Sequence, residues 1–560
     1  MEGKAEVNVD SMAAWLKGGI KNKWRLAFLV FAVAYGTFLL FNLSYMSIQW
    51  DEVTHLNGGM LLLRGDYSTY FSFIFYPPMY DLFTAGFYAV GGISVFTGRL
   101  VTVAFSLLSL WAVFEFASRM YDAKTALLGV VLLALMPGYV WLSRMAMIET
   151  MLVFFFTVST LSFFGWLRLH QNKFLIISGV MLGLGILVKY QTVIVGAIML
   201  TALVVLGRGY LKQKLTRFPL LILTVVAVVI PWILVSYQIY ASGLLDTWLY
   251  AISMGNPEKS LYSTGLNRFP APFTALPSWL QTPVFYLFEM TVPYSDVHPV
   301  SFFLYLLGLA GLGWFALRRK ASDKYLLIWF VVVYIFFTVI PNKQWRYVVP
   351  AFPVLALAAA SLITSAWSKA QTRWQNKQLP INKRRLAQVA AGGLIAFTLV
   401  GAAFSVSDAY SWVAKDQIHI PIEEAANYVA PRLGPDESIM VLCAQNLYSQ
   451  DMVRFYLNAQ GKTNAVLQYP ALPVDTYRPD FNVTELISQC QHNNVKYVFM
   501  YEFGGDVPYF DTDLRLMDVY MMLAESGKFG NIPTLEEDGT VTGTYFGTSP
   551  RQIYILTFLG

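Results

Sequence analysis

Two adjacent carboxylates, Asp51 and Glu52, lie in the stretch Gln49-Trp50-Asp51-Glu52-Val53-Thr54-His55, directly after the first long apolar run of the chain. A carboxylate within hydrogen-bond reach of a hydroxyl can take its proton as the oxygen attacks. Cations supply the complementary half of such chemistry by stabilising a departing phosphate. Lys189 interrupts the apolar stretch 174–207, and Lys343 and Arg346 precede the apolar run 348–367. Arginine grips phosphate oxygens with a fork of N–H groups, whereas lysine acts as a point charge. Ionisable side chains at membrane depth are expensive and mark a site by default. Topology adds Asp81, Arg99, Glu149, Glu289, Asp296 and His298 to the same side. This mixture suits transfer from a lipid-linked sugar phosphate, whose headgroup sits at the interface, to an acceptor hydroxyl.

Each residue also has a structural reading. Asp51 could cap a helix starting at Glu52. Glu149 could favour the start of the span 150–167 through the helix dipole. Lys189 could snorkel to headgroups, and Lys343 and Arg346 could anchor the interface. Arg99 has a choice between phosphate and Asp81. His298 has no HxxH or cysteine nearby, so it is a poor metal ligand. Glu115 sits four residues before Arg119, where an ion pair along the helix accounts for it.

The elements that must position these groups are membrane helices. Of 560 residues, 56% are hydrophobic and 13% charged, and mean hydropathy is +0.50. A soluble chain carries about a quarter charged residues. Lys and Arg gather in short loops, which reads as topology and not as a nucleic-acid surface. Residues 1–23 read as a cytosolic segment with a basic amphipathic start, and 24–46 as a retained first span. The basic loops at 208–217, 318–320 and 373–385 are expected in the cytosol. The spans at 24–46, 100–118, 124–143, 150–167, 174–188, 191–207, 218–240, 300–317, 324–341, 348–367 and 386–406 then give about eleven crossings. Segment 79–97, opened by Pro77-Pro78 and rich in glycine, is expected to lie in the outer interface within a first external loop, 47–98. A large external loop covers 241–299. Lys189 falls at headgroup depth, because the runs on either side of it are short.

Beyond residue 410 polar residues return. The strand-like runs ESIMVLC, NAVLQYP, VKYVFMYE and RQIYILTF alternate with helix-like PIEEAANYVAPRL, LYSQDMVRFYLNAQ, TELISQCQHNN and LRLMDVYMMLAES. This reads as an external α/β domain over 410–560. It has no GxGxxG after its first strand, so nucleotide binding is not indicated. Cys443 and Cys490 could pair outside the cell, and Asn482-Val483-Thr484 is a sequon.

The ordered set QWDEVTH, Tyr76-Pro77-Pro78, Thr97-Gly98-Arg99-Leu100, Leu142-Ser143-Arg144-Met145-Ala146-Met147-Ile148-Glu149, Gly183-Leu184-Gly185-Ile186-Leu187-Val188-Lys189-Tyr190 and Lys343-Gln344-Trp345-Arg346-Tyr347-Val348-Val349-Pro350 resembles the GT-C superfamily of membrane glycosyltransferases. Protein O-mannosyltransferases and the lipid A aminoarabinose transferase are the nearest in pattern. The resemblance covers about residues 24–367. It implies a GT-C-like polytopic helical domain over 24–406, a polyprenyl-phosphate sugar donor and inverting transfer on the extracytoplasmic side. By it Asp51 is the catalytic base, with Glu52 its neighbour and Glu149 the second acidic position. Lys189, Arg346, Lys343 and Arg99 are the donor-phosphate set, and Asp81, Tyr190, Tyr347 and His298 are candidate substrate contacts. The sequence departs from the family in having a lone Glu149 instead of an acidic pair, which leaves a divalent metal open. It has no WWDYG-like motif and no β-trefoil, so the acceptor is left as glycan, lipid or protein. A polyprenyl-linked glycan transporter would use the same cations, but it predicts repeated halves and midplane charges. A non-catalytic anchor would need neither Lys189 nor the acidic pair.

Overall fold

The computed structural model describes residues 22–73, 77–208, 211–253, 277–291, 298–340, 343–376, 378–414, 419–442, 448–469, 481–502, 516–535, 541–548 and 551–560. Expectations that fall on residues 1–21, Tyr76, Asp296 and Cys443 lie outside that set, as do residues 254–276 and 292–297 of the loop 241–299. Cys490 is buried.

Among the described residues, seven helices are long and apolar enough to cross a membrane. They are Lys23–Leu40, Val95–Met120, Glu149–Leu169, Phe218–Asp246, Ala321–Val339, Trp345–Gln375 and Ile381–Ser411. Ala123–Ala134, Asn172–Ile186, Tyr190–Leu206 and Phe302–Arg318 are shorter apolar helices. Every apolar segment read as a crossing coincides with one of these helices. Their starts follow local chemistry. Asn22, Ser94 and Asp122 cap the helices that follow them, each side chain accepting a backbone N–H two or three residues on.

Lipid gives little hydrophobic drive between helices, so close backbone approach matters. Gly179 and Gly183 let Asn172–Ile186 meet Phe218–Tyr240 at Leu221, Thr224 and Val228. Gly311 brings Phe302–Arg318 onto the backbone of Ala358 in the Phe352–Gln375 helix. Ser159 and Ser178 exchange hydroxyl-to-carbonyl hydrogen bonds of 2.8 Å between neighbouring helices.

Segment 79–97 is divided. Met79–Gly91 is a helix of its own, Gly92 turns the chain with φ +78, and Val95–Met120 begins after Ser94. The Thr97-Gly98-Arg99-Leu100 stretch lies in the first two turns of that long helix. Two further short helices, Trp50–Arg64 and Tyr67–Phe73, precede it.

The C-terminal part is the expected α/β domain. Its strands are β1 (Ser438–Leu442), β2 (Val466–Tyr469), β3 (Val495–Tyr501), β4 (Phe529–Gly530), β5 (Thr534–Leu535), β6 (Val541–Thr542), β7 (Tyr545–Thr548) and β8 (Arg551–Phe558). The main sheet runs β2-β1-β3-β8-β4, with β7 pairing β8. β1, β2 and β3 are parallel, and β8 is antiparallel to β3. Strand alternation sends Ile439, Val441, Phe499, Ile553 and Ile555 to one face and Met440, Leu442, Val498, Met500 and Leu556 to the other. The first face shares its core with the helical part. Helix Gln450–Ala459 rests on Trp50–Arg64, where Asn57 donates to the Asp451 carbonyl at 3.2 Å. Ser47 donates to the Ile420 carbonyl beside it at 3.3 Å.

Candidate active site

Helix Trp50–Arg64 has Gln49, not Asp51, at its N-cap position, and the Glu52 carboxylate accepts the Gln49 N–H at 3.1 Å. Asp51 is thus in the first turn, where the helix dipole favours a negative charge. Arg346 reaches it from the 3-10 turn Trp345–Ala351, with Nη1 2.5 Å from Asp51 Oδ2. The Asp51 side chain is 41% exposed and that of Arg346 18%. Arg346 Nε also donates to Gln344 Oε1 at 2.6 Å. The Arg346 guanidinium, with weaker help from the His55 and Lys189 charges, holds the Asp51 carboxyl below the usual carboxylate range against the opposing effect of burial.

Lys189 occupies the break between Asn172–Ile186 and the 3-10 turn Tyr190–Val193. The break is tied down by its own backbone: Lys189 N donates to the Gly185 carbonyl at 2.9 Å, and Thr192 Oγ1 donates to the Lys189 and Gly185 carbonyls at 2.7 Å. Lys189 Nζ stands 3.5 Å from Glu149 Oε1 and 4.9 Å from the centre of the Tyr347 ring. Arg346 lies 5.8 Å from the same ring. Asp51, Arg346, Lys189, Glu149 and Tyr347, drawn from four separated stretches of sequence, therefore form one cluster. Glu149 Oε2 is buried with no hydrogen-bond partner among the described residues.

Other expected site residues have different occupations. Glu52, the expected neighbour of the base, points into the core, because successive helix residues do not share a face. It meets Arg99 in a two-pronged pair, Nε to Oε1 at 2.6 Å and Nη2 to Oε2 at 2.8 Å, with neither side chain exposed. Arg99 also donates to the carbonyls of Leu43, Met46 and Ser47 at 2.7, 2.9 and 3.2 Å. Arg99 is spent on the protein and is corrected from phosphate ligand to brace. Lys343 is likewise turned inward, donating to the Thr338 and Ile340 carbonyls at 2.6 Å at the end of Ala321–Val339. Asp81, expected to meet substrate or Arg99, accepts from Tyr70 and pairs with His55. Tyr190 accepts a hydrogen bond from Trp232 at 2.8 Å and stacks on Trp248. His298 Nδ1 lies 2.9 Å from the Thr291 carbonyl of its own loop.

His55 is the residue that sequence reasoning passed over. It belongs to the starting motif and falls four residues after Asp51, which was the available signal. Its partner Asp81 is too far along the chain for any local rule to connect them.

The arrangement can do two things. It can accept a proton at a partly exposed carboxylate, and it can hold an anion between a guanidinium and an ammonium. Among the described residues no group of three or more His, Cys, Asp or Glu side chains comes together as a metal site would. Both candidate carboxylates are already paired with cations.

A family model described as dolichyl-phosphate-mannose-protein mannosyltransferase matches residues 76–234. No curated protein sequence matches. Among solved structures, ArnT from Cupriavidus metallidurans in the apo state is similar at 14% identity and a TM-score of 0.59, over 95% of this chain and 98% of that one. The same protein bound to undecaprenyl phosphate gives 15% identity and a TM-score of 0.57 over the same shares. The apo oligosaccharyltransferase of Archaeoglobus fulgidus gives 14% identity and a TM-score of 0.57, over 94% of this chain and 75% of that one. At such identities the likeness is one of fold.

Proposed function

We propose that this chain, a multi-pass membrane protein with the fold of the GT-C superfamily of membrane glycosyltransferases, transfers a sugar from a polyprenyl-phosphate-linked donor to an acceptor hydroxyl. Asp51 is the base, and Arg346 and Lys189 hold the donor phosphate. Glu149 orients Lys189, and the buried Tyr347 ring lies near both cations. The acceptor oxygen bonds to the anomeric carbon as the carbon–oxygen bond to phosphate breaks. The acceptor proton goes to Asp51 and the electron pair leaves with the phosphate, inverting the anomeric centre. Fixed cations aimed at the departing charge are the larger part of the rate gain.

The observation that carries this reading is the Asp51–Arg346 pair beside Lys189. A base and an anion site far apart in sequence meet at one partly open surface. A phosphate outcompetes a half-exposed carboxylate for a guanidinium, because it offers more oxygens and charge. Donor binding would then free the base it needs. The sign of the flanking loops supports an extracytoplasmic site with the N-terminus in the cytosol. The external α/β domain, seated on the Asp51 helix, docks the acceptor.

The test is transfer by the purified protein from a panel of radiolabelled undecaprenyl- and dolichyl-phosphate monosaccharides to lipid, glycan and peptide acceptors. Wild-type protein should turn over at least one pair and Asp51→Asn should not. Wild-type rates in Asp51→Asn, or full activity of the Lys189→Ala/Arg346→Ala double variant, would overturn the assignment.

A further inference from the structure

A buried polar group lies one turn along the helix from Asp51, and the reaction above makes no use of it. His55 is four residues on from Asp51, so the two side chains share a helix face. His55 Nδ1 is 2.9 Å from Asp81 Oδ1. Tyr70 Oη donates to Asp81 Oδ2 at 3.0 Å. The Tyr80 ring closes edge-on against the imidazole at 4.9 Å. His55, Asp81, Tyr70 and Tyr80 are all buried. Each of the three short helices of the first loop contributes to this group, and each contribution fixes the imidazole.

A buried carboxylate persists when it is paired and hydrogen-bonded. Tyr70 satisfies one Asp81 oxygen. A proton shared by His55 satisfies the other and makes the pair neutral overall. We propose that His55 is a positioning residue for Asp51, an imidazolium secured by Asp81 that keeps Asp51 ionised after the donor phosphate has drawn Arg346 away. The proposal rests on the reading of Asp51 as base and Arg346 as phosphate ligand. In the resting site Asp51 has Arg346 in contact, and the His55 and Lys189 charges also act on it. Once phosphate engages Arg346 and Lys189, both cations are compensated elsewhere. His55 cannot follow the phosphate, because Asp81 and Tyr70 hold it in place. Among the described residues, the titratable and charged groups around it include Asp51 and Glu52 on its own helix, Asp81, Tyr80 and Tyr88 from Met79–Gly91, and Tyr70 from Tyr67–Phe73. Beyond Asp51 stand Lys189 and Arg346, and beyond Tyr70 stands Tyr190.

The experiment follows transfer against pH for the full-length wild type, His55→Gln, Asp81→Asn and the double variant, with melting curves to confirm folding. In His55→Gln, kcat should fall about tenfold at the acid end of the profile and converge with wild type at the alkaline end, a factor equal to about one pH unit of proton affinity. The acid limb of donor kcat/KM should move the same way but from a lower pH, because in the free enzyme Arg346 still covers Asp51. The double variant should lose no more than Asp81→Asn. If Asp81→Asn does not fold, His55→Gln retains an amide donor for Asp81 and carries the test with Tyr70→Phe beside it. Superimposable kcat profiles, or a uniform loss in kcat and kcat/KM at every pH, would mean a structural staple and overturn the proposal. Activity in Asp51→Asn, or no turnover by wild type, ends the parent reading and this one together. An inactive Asp51→Asn with an unshifted His55→Gln ends this one alone.

Discussion

Replacing Arg99 by Met separates two accounts of the same residue. The sequence offers it as a phosphate ligand, and the structure spends it on Glu52 and three backbone carbonyls. Glu52 in turn accepts the Ala146 N–H at 2.7 Å and the Gln49 N–H at 3.1 Å. This pair therefore ties the loop after the first helix, the Asp51 helix, the Val95–Met120 helix and the segment before Glu149 at one point. Removing one partner of a buried ion pair leaves an uncompensated charge and costs about 3–5 kcal/mol. Each orphaned carbonyl adds about 1 kcal/mol more. Against a total stability of about 5–15 kcal/mol, that loss is a large share. Arg99→Met and Glu52→Gln should each melt far below wild type in detergent, read as the fraction of monodisperse protein after heating. The double variant removes both charges and should be less destabilised than the two single losses summed, with a coupling of at least about 2 kcal/mol. An Arg99→Met protein that melts like wild type but binds donor weakly would refute the brace and restore Arg99 to the phosphate site.

Three further outcomes are expected. Arg346 holds the Asp51 carboxyl below its usual range, so Asp51 stays an ionised base until the pH falls beneath that range; in Arg346→Gln the acid limb of kcat/KM should move to higher pH, and an unmoved limb would belong to another group. Lys343→Met should lower thermal stability by about 1–3 kcal/mol through its lost carbonyl contacts without changing the donor KM. Burial pushes the Lys343 ammonium down to about 8, so from there to the unfolded value of about 10.4 the unfolded chain binds more protons, and wild-type stability relative to Lys343→Met should rise with pH across that window in denaturation titrations. In helix Phe302–Arg318, a Cβ on Gly311 would come within 2.3 Å of the Ala358 backbone, whereas one on Gly313 meets open space. Gly311→Ala should therefore cost about 1–3 kcal/mol by overpacking, and Gly313→Ala should gain up to about 1 kcal/mol of helix propensity, both read from melting curves.

The legible part of the sequence and the illegible part have one physical cause between them. Apolar length set the helices, and short apolar runs between helix-like polar segments set the strands of the α/β domain, because both patterns are local consequences of burial. Charge in an apolar setting flagged Asp51, Glu149, Lys189 and Arg346, but by the same rule it flagged Glu52, Arg99, Lys343 and Asp81. Desolvation is equally unfavourable whether the compensating partner is a substrate, a carbonyl or another side chain, so sequence context alone cannot sort these groups. Partner identity can. Arg99 is held by Glu52 and by the carbonyls of the loop after the first helix, and Lys343 by carbonyls at a helix end, so their partners belong to the fold itself. Arg346 is paired with a carboxylate that still touches solvent. Lys189 makes a long contact to Glu149, whose second oxygen has no partner among the described residues. Contacts of the first kind are permanent, and contacts of the second kind can be exchanged. Exchange is what a site needs when an anion must enter, release a base and leave again.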